Sequence, residues 1–413
     1  MKNTIVKSVL GIGVLSLALS GAAYAGGLER SSQDFDILFE EGHAFEAGVT
    51  FVAPQRKYKN IRGSFIGGAT GGINPNNGQP YSTSVEESKD YFVPKVSAKF
   101  AFHEDAACAG QFRTPFGAHT DVGMDTVAMY GSIEQEIKSR DYGLNCSYRF
   151  NMGKGYLRLL GGVSYQEVEG QQTKFLLAGT PGSFPVPLNR IGKLDVDDSG
   201  IGWRAGVAYE IPEIALRTSL TYQSKIDYRL EGTIENLAPF TIPVYGDATV
   251  PQSVEWKVQS GIAPGWLAFG SIKWTDWSVI QSIGFRNKDQ LGPVTPGGVE
   301  ITSLDLYYRD GWTISGGVGH KINDQFSVAG SVAWDRGTTT GLNSQTDTWT
   351  FGLGGSYTPT KNFEIRAGGA LGILTSGTKD DRVIDGDPNL TGFVADFGND
   401  LVSALSISAK LKF

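Results

Sequence analysis

Enzymes and metal centres are built from histidines, cysteines and carboxylates at workable spacing, and this sequence spaces them badly. Its four histidines, His43, His103, His119 and His320, are scattered, none at ligand spacing from a cysteine or another histidine. It has no Gly-x-Ser-x-Gly elbow, no Gly-Lys-Ser/Thr phosphate loop and no His-Glu-x-x-His helix. No enzyme, metal centre or cofactor is expected. Asp195, Asp197 and Asp198 form an acidic cluster that is either a solvated loop or a hold for a divalent cation. Cys108 and Cys146 are too few for a disulfide framework. Near the same end of two neighbouring strands, they are either one bridge in an oxidising compartment or two packed thiols.

The unusual residues are apolar. Phe175-Leu176-Leu177 and Phe184-Pro185-Val186-Pro187-Leu188 share one long connection. Leu237-Ala238-Pro239-Phe240 and Ile242-Pro243-Val244 lie in the next. Proline stiffens both, and both leave greasy surface near water. They form either a plain lid, packed on each other, or a groove that collects apolar ligands. An alkyl chain gains ~0.8 kcal/mol per CH₂ buried in such a groove. A second oddity is Thr114-Pro115-Phe116-Gly117, high on a predicted third strand. Pro115 has no N–H for a neighbouring strand. Either the strand ends there, or it kinks inward and opens a hole in the wall.

These residues must be positioned by strands. Lys2 and Lys7, an apolar run from Val9 to Leu19, and Ala23-Tyr24-Ala25 read as a secretory signal peptide over residues 1–25. No later apolar run approaches 18 residues, so a membrane fate requires a barrel. Glycine is 55 of 413 residues without a Gly-X-Y period, and the mildly acidic charge of −7 argues against nucleic acid. At the C-terminus Leu401, Leu405, Ile407, Leu411 and Phe413 share one face, with Ser406, Ser408, Lys410 and Lys412 on the other. In a barrel the apolar row meets lipid and the polar row meets the lumen. Comparable alternation runs through Phe326–Asp335, Thr348–Tyr357 and Leu216–Gln223. Tight turns near 103, 152, 212, 264, 323 and 360 alternate with long connections at about 62–90, 118–131, 171–191, 235–247, 288–300, 337–345 and 377–393. Counting from a first strand near Ala44 to Asn60 gives fourteen.

The chain from about Tyr91 to Phe413 resembles the FadL family of outer-membrane long-chain fatty acid transporters, whose relatives also import aromatic hydrocarbons. The resemblance is carried by Trp203 to Gly232 (WRAGVAYEIPEIALRTSLTYQSKIDYRLEG) and Ala248 to Ser282 (ATVPQSVEWKVQSGIAPGWLAFGSIKWTDWSVIQS), with support from Phe92-Val93-Pro94 and Tyr308-Arg309-Asp310. It implies a barrel plugged by an N-terminal hatch, ligand capture between the third and fourth external loops, and sideways release where the third strand kinks. The two apolar loops fall on the capture groove, and Thr114, Pro115, Phe116 and Gly117 fall on the kink. The family's Asn-Pro-Ala hatch motif is missing: only residues 26–42 precede the first strand, and Asn74-Pro75 lies in a loop. Lys174 and Arg309 are the nearest cations for a ligand carboxylate, and Leu304 stands where a lysine is expected.

The expectation is therefore an all-β, 14-stranded antiparallel transmembrane β-barrel over 43–413, with a short N-terminal plug in the lumen at 26–42. Its function would be passive uptake of hydrophobic small molecules, most readily long-chain fatty acids, across the outer membrane of a Gram-negative bacterium. A general diffusion porin and an outer-membrane lipase or esterase are the alternatives. Expected partners are the apolar ligand, outer-membrane lipid and lipopolysaccharide, and the barrel-assembly machinery through the terminal strand. The protein is expected to be a monomer.

Overall fold

In the computed structural model the described residues are 27–31, 35–176, 190–238, 240–289 and 297–413. Residues 1–25, expected to be a signal peptide, lie outside them. Alternating sequence becomes fourteen barrel strands. They are β1 Ala44–Pro54, β2 Tyr91–Ala101, β3 Ala106–Arg113 with Gly117–Asp121, β4 Glu134–Asn151, β5 Tyr156–Leu176, β6 Arg190–Ile211 and β7 Leu216–Gln223 with Ile226–Glu235. The circuit continues with β8 Ile242–Val250 and Ser253–Ala263, β9 Trp266–Thr275 and Ser282–Asn287, and β10 Glu300–Asp305 and Gly311–Lys321. β11 Phe326–Arg336, β12 Thr348–Thr360, β13 Phe363–Leu374 and β14 Asp400–Lys412 complete it. Each pairs antiparallel with the next, and β1 closes on β14 from Ala44↔Lys412 to Pro54↔Val402. Closure leaves the barrel no free edge.

Its polarity is inverted relative to a soluble protein. Phe100, Leu144, Leu353, Leu405 and Phe413 are exposed on the outside, whereas Glu46, Lys99, Arg113, Asp141, Arg204, Arg366 and Lys410 are buried inside. A charge can be buried there because each has a partner. Lys410 reaches Glu40 at 2.5 Å and Glu46 at 3.6 Å, and Arg366 binds Glu364 at 2.8 Å.

β1 is shorter than the alternation predicts. It stops at Pro54, which cannot donate to a continuing ladder, and the Arg56 N–H turns aside to the Ser88 hydroxyl at 2.9 Å. Lys57–Arg62 instead joins Val85–Glu86, Gly377–Asp380 and Val394–Phe397 in a separate four-stranded sheet. That sheet caps the barrel at the end with the long connections. It packs Tyr58, Ile61, Phe393 and Phe397 against Val127 and Ala128.

Before β1, the N-terminal segment lies inside the lumen. Leu38 is wholly buried among Ala107, Ala109 and Leu160, and the Glu40 carboxylate sits between Lys410 and Lys412. Burial alone would raise the Glu40 pKa; the two ammonium groups, at 2.5 and 2.6 Å, bring it down to about 2.

A dry cavity beside a broken strand

The inside-out polarity does not persist to the loop end. On β5, Val163 and Tyr165 face outward, but above them Glu167 and Glu169 take the outside and Val168 turns in. On β6, Ile201 and Trp203 lie outside, whereas further up Leu194 and Val196 are buried and Asp197 is exposed. On β7 the change falls at the interruption Ser224-Lys225. Leu220 faces out before it, and Ile226, Tyr228 and Leu230 face in after it, alternating with exposed Asp227, Arg229 and Glu231. On these three strands the upper barrel is thus apolar within and charged without, as a soluble barrel would be. Its interior cluster adds Ile234, Ala238, Ile242, Val244 and Phe285.

A cavity of ≈ 80 Å³ lies in this interior. Val168, Val196, Leu230, Phe285 and Leu304 form its sides, and Leu28, Phe116, Trp277 and Ile280 close it toward the wall. None of its described lining residues is charged. Phe116 meets Trp277 edge-on at 5.7 Å, and Trp277 meets buried Tyr308 in the same way at 5.9 Å. Above, the Lys174 ammonium donates to the Thr302 hydroxyl at 3.0 Å. These residues stand two positions beyond Gln172 and Leu304 of the lining, so the bond spans the mouth from β5 to β10.

Phe116 belongs to the break in β3. The β2–β3 ladder runs from Ala101↔Ala107 to Lys95↔Arg113 and resumes only at an isolated Ser88↔Thr120 pair. In between, Pro94 and Pro115 contribute no N–H, and the second half of β3 keeps its ladder with β4 while leaving β2. The N-terminal segment occupies the vacated line. Leu28 carbonyl accepts from Gly117 N–H at 2.8 Å, and Arg30 N–H donates to the Pro115 carbonyl at 2.8 Å. Ser31 Oγ donates to the Thr114 carbonyl at 3.0 Å. On the β4 side, Ser139 Oγ donates to the Phe116 carbonyl at 2.7 Å and accepts its N–H at 2.8 Å. Outside the gap stands Phe92, 64 % exposed.

Below the cavity the lumen is ionic. Arg204 grips both Asp141 oxygens at 2.5 and 2.7 Å, Arg113 adds a third contact at 3.2 Å, and buried Gln166 joins them to Tyr228. Lys273 binds Glu29 of the N-terminal segment, and both are buried.

The residues singled out from sequence fall in several places. Leu237, Ile242 and Val244 join the interior cluster, with Ile242 and Val244 in β8 rather than a loop. Phe240 is exposed at the loop tip. Phe175 is buried under the cap against Tyr130, at 5.9 Å, and Leu176 ends β5 against Gly192. Leu177, Phe184, Val186 and Leu188 lie outside the described residues. Arg309 points away from the cavity: its Nε donates to the Gly337 carbonyl at 3.0 Å and its guanidinium lies 4.0 Å from Asp347. Asp195 takes bonds from Gln171 and Lys193, and Asp198 accepts the Arg229 N–H. Among the described residues no group of three or more metal-ligating side chains assembles. Cys108 and Cys146 are bridged, directly opposite each other on β3 and β4.

Sequence reasoning missed most of the cavity. Leu28, Ile137, Leu194, Val196, Tyr228, Leu230, Trp277, Ile280, Ile283 and Phe285 all line it. A signal was present: in KLDVDD and IDYRLEG apolar residues still alternate with charges, but the charged row has moved to the face that is apolar lower down.

Residues 36–382 match the family described as outer membrane protein transport protein (OMPP1/FadL/TodX). A long-chain fatty acid transport protein of Salmonella typhi is 24 % identical over 260 residues, 55 % of this chain and 59 % of that one. Its Escherichia coli counterpart is 23 % identical over 276 residues, 59 % of this chain and 58 % of that one. The matched stretch thus spans about three fifths of either relative. Among solved structures, a Pseudomonas aeruginosa FadL homologue superposes with a TM-score of 0.78 at 18 % identity, covering 96 % of this chain and 98 % of that one. The Ralstonia pickettii toluene transporter TbuX gives 0.59 at 16 % identity, covering 98 % and 99 %. At such identities the likeness is one of fold.

Proposed function

Because the chain belongs to the OMPP1/FadL/TodX family of outer membrane transport proteins, we propose that it takes up hydrophobic small molecules and releases them sideways through the break in β3. One observation carries this: Phe116 is at once the wall of the dry cavity and part of the strand break. Three arguments support the direction of exit. An apolar molecule gains by burial in the cavity and keeps that gain on entering lipid, whereas the lumen below offers it buried ion pairs. The gap lies beside the exposed ring of Phe92 on the outer surface. A diffusion porin needs a continuous water path, whereas this lumen holds the buried ion pairs Asp141–Arg204 and Glu40–Lys410. Capture would begin at the apolar loop segments around Leu176 and Phe240, and Lys174 guards the mouth.

Long-chain fatty acids are the first reading of the cargo, consistent with what the relatives are named for. A neutral monoaromatic hydrocarbon is the second, favoured by the uncharged lining. At ≈ 80 Å³ the cavity is smaller than the ~150 Å³ engineered space known to take benzene, so either ligand must widen it.

The test is Gly117→Arg. Even a Cβ at Gly117 would lie 2.6 Å from the Arg30 guanidinium, so a long cation there obstructs the gap. Uptake of labelled dodecanoate and toluene should be abolished while the barrel keeps its heat-modifiable gel migration. Undiminished uptake of both by a folded variant refutes sideways release.

A further inference from the structure

Arg30 stands where the strand break meets a second cavity. This space of ≈ 130 Å³ lies across the N-terminal segment from the first and is lined by Arg30, Tyr91, Gly117, His119, Leu374 and Val402 among others. Part of its wall is apolar: Tyr91, Leu374 and Val402 pack with Val52 and Val93. Most charges around it are already neutralised. Glu29 is bound by Lys273, Arg56 by Asp400 at 3.3 Å and Lys89 by Asp121 at 3.0 Å, and the His119 ring is hydrogen-bonded to Glu134 at 2.9 Å. Glu87, outside the wall strands, accepts from the Ser344 hydroxyl at 2.6 Å, and burial raises its carboxyl above the usual range.

Arg30 differs from all of these. Its guanidinium lies over the Tyr91 ring at 4.1 Å, with no carboxylate in contact among the described residues. Its Nε is buried without a hydrogen-bond partner. Glu136, the carboxylate whose field it feels, is held by Lys138 at 2.7 Å. The backbone of Arg30 is pinned to Pro115, so the cation is presented at the break rather than left to wander.

A buried donor without an acceptor, beside an apolar wall, is half of a binding site for an amphiphile with an anionic head. We propose that this second cavity holds the carboxylate of an alkyl acid on Arg30, with the chain lying along Tyr91, Leu374 and Val402, as a station between the dry cavity and the gap. This rests on the uptake reading above. It also accounts for how a cavity with no charged lining could serve a fatty acid: the head is held elsewhere, at Arg30 rather than at Lys174 or Arg309.

The test uses full-length barrel in neutral detergent and measures binding of dodecanoate, dodecanol and toluene to wild type, Arg30→Met, Arg30→Lys and Lys174→Met. Arg30→Met should weaken dodecanoate by about tenfold and leave dodecanol and toluene within about twofold. Arg30→Lys should recover part of the loss, and Lys174→Met should change dodecanoate less than Arg30→Met does. Equal losses for all three ligands, or none for dodecanoate, overturn the assignment. Wild type that binds dodecanol or toluene but not dodecanoate overturns it while leaving the uptake reading intact. Failure to bind any of the three overturns both.

Discussion

Gly117 donates its backbone N–H to the Leu28 carbonyl at 2.8 Å, so the wall strand is completed at its break by the chain's own N-terminal segment. A buried backbone donor needs an acceptor, and here it is a removable one. Deleting residues 27–31 should leave a folded barrel whose toluene uptake is raised several-fold, measured as initial rate in whole cells. Toluene is the probe because the deletion also removes Arg30. Unchanged or lower uptake would show that the segment does not restrict the gap.

Val196 is buried in the cavity wall within the apolar interior cluster. Val196→Asn places an amide against that apolar surface, at a cost of about 1–3 kcal/mol. Toluene binding by calorimetry should weaken roughly tenfold, with the unfolding temperature nearly constant because the ladder is untouched. Equal affinity would place the ligand elsewhere.

The Cys108–Cys146 bridge joins β3 to β4 below the break and closes a 38-residue span that contains it. Constraining such a span removes up to about 4 kcal/mol of unfolded-state entropy. The Cys108→Ser/Cys146→Ser pair should therefore lose heat-modifiable migration at a temperature several degrees lower, with uptake preserved at ambient temperature. An unchanged transition would mean that the ladder alone fixes this pair of strands.

Glu40 ties the N-terminal segment to β14 through Lys410 and Lys412. Its folded pKa, about 2, is below the ordinary 4.5, so the tether is at full strength above pH 4.5 and fades as pH falls toward 2. Protease cleavage within residues 35–43 should rise over that window in wild type. Glu40→Gln should show the raised, pH-independent cleavage already at pH 7. A variant that cuts no faster than wild type at pH 7 refutes the tether.

The compartment and the strand count were legible because they rest on local patterns. Leu401 to Phe413 alternates cleanly, and β14 places those rows outside and inside as read. The interruption at Pro115 was legible too, since a missing N–H is a property of one residue. What escaped was long-range. Glu29 meets Lys273 across 244 positions, and no sequence window shows that pairing. Trp277 and Ile280 look like girdle aromatics and strand residues until the short turn Trp277–Val279 swings them into the lumen. Ile242 and Val244 fall in the connection expected at about 235–247, yet both lie in β8, whose ladder tolerates Pro243 opposite Thr233.

The exchange of faces along β5, β6 and β7 also fixes how deep the barrel sits. If it sank by two residues per strand, roughly 7 Å of strand length, Glu167, Glu169, Asp197 and Glu231 would approach hydrocarbon, at up to ~2–4 kcal/mol for a charge near the midplane. If it rose by as much, Val163, Ile201 and Trp203 would stand in water. The waterline is therefore written into the chain, and the break in β3 is held at one level against the bilayer: Gly117 pairs with Lys138, which pairs with Glu169, in the second charged row above the apolar band.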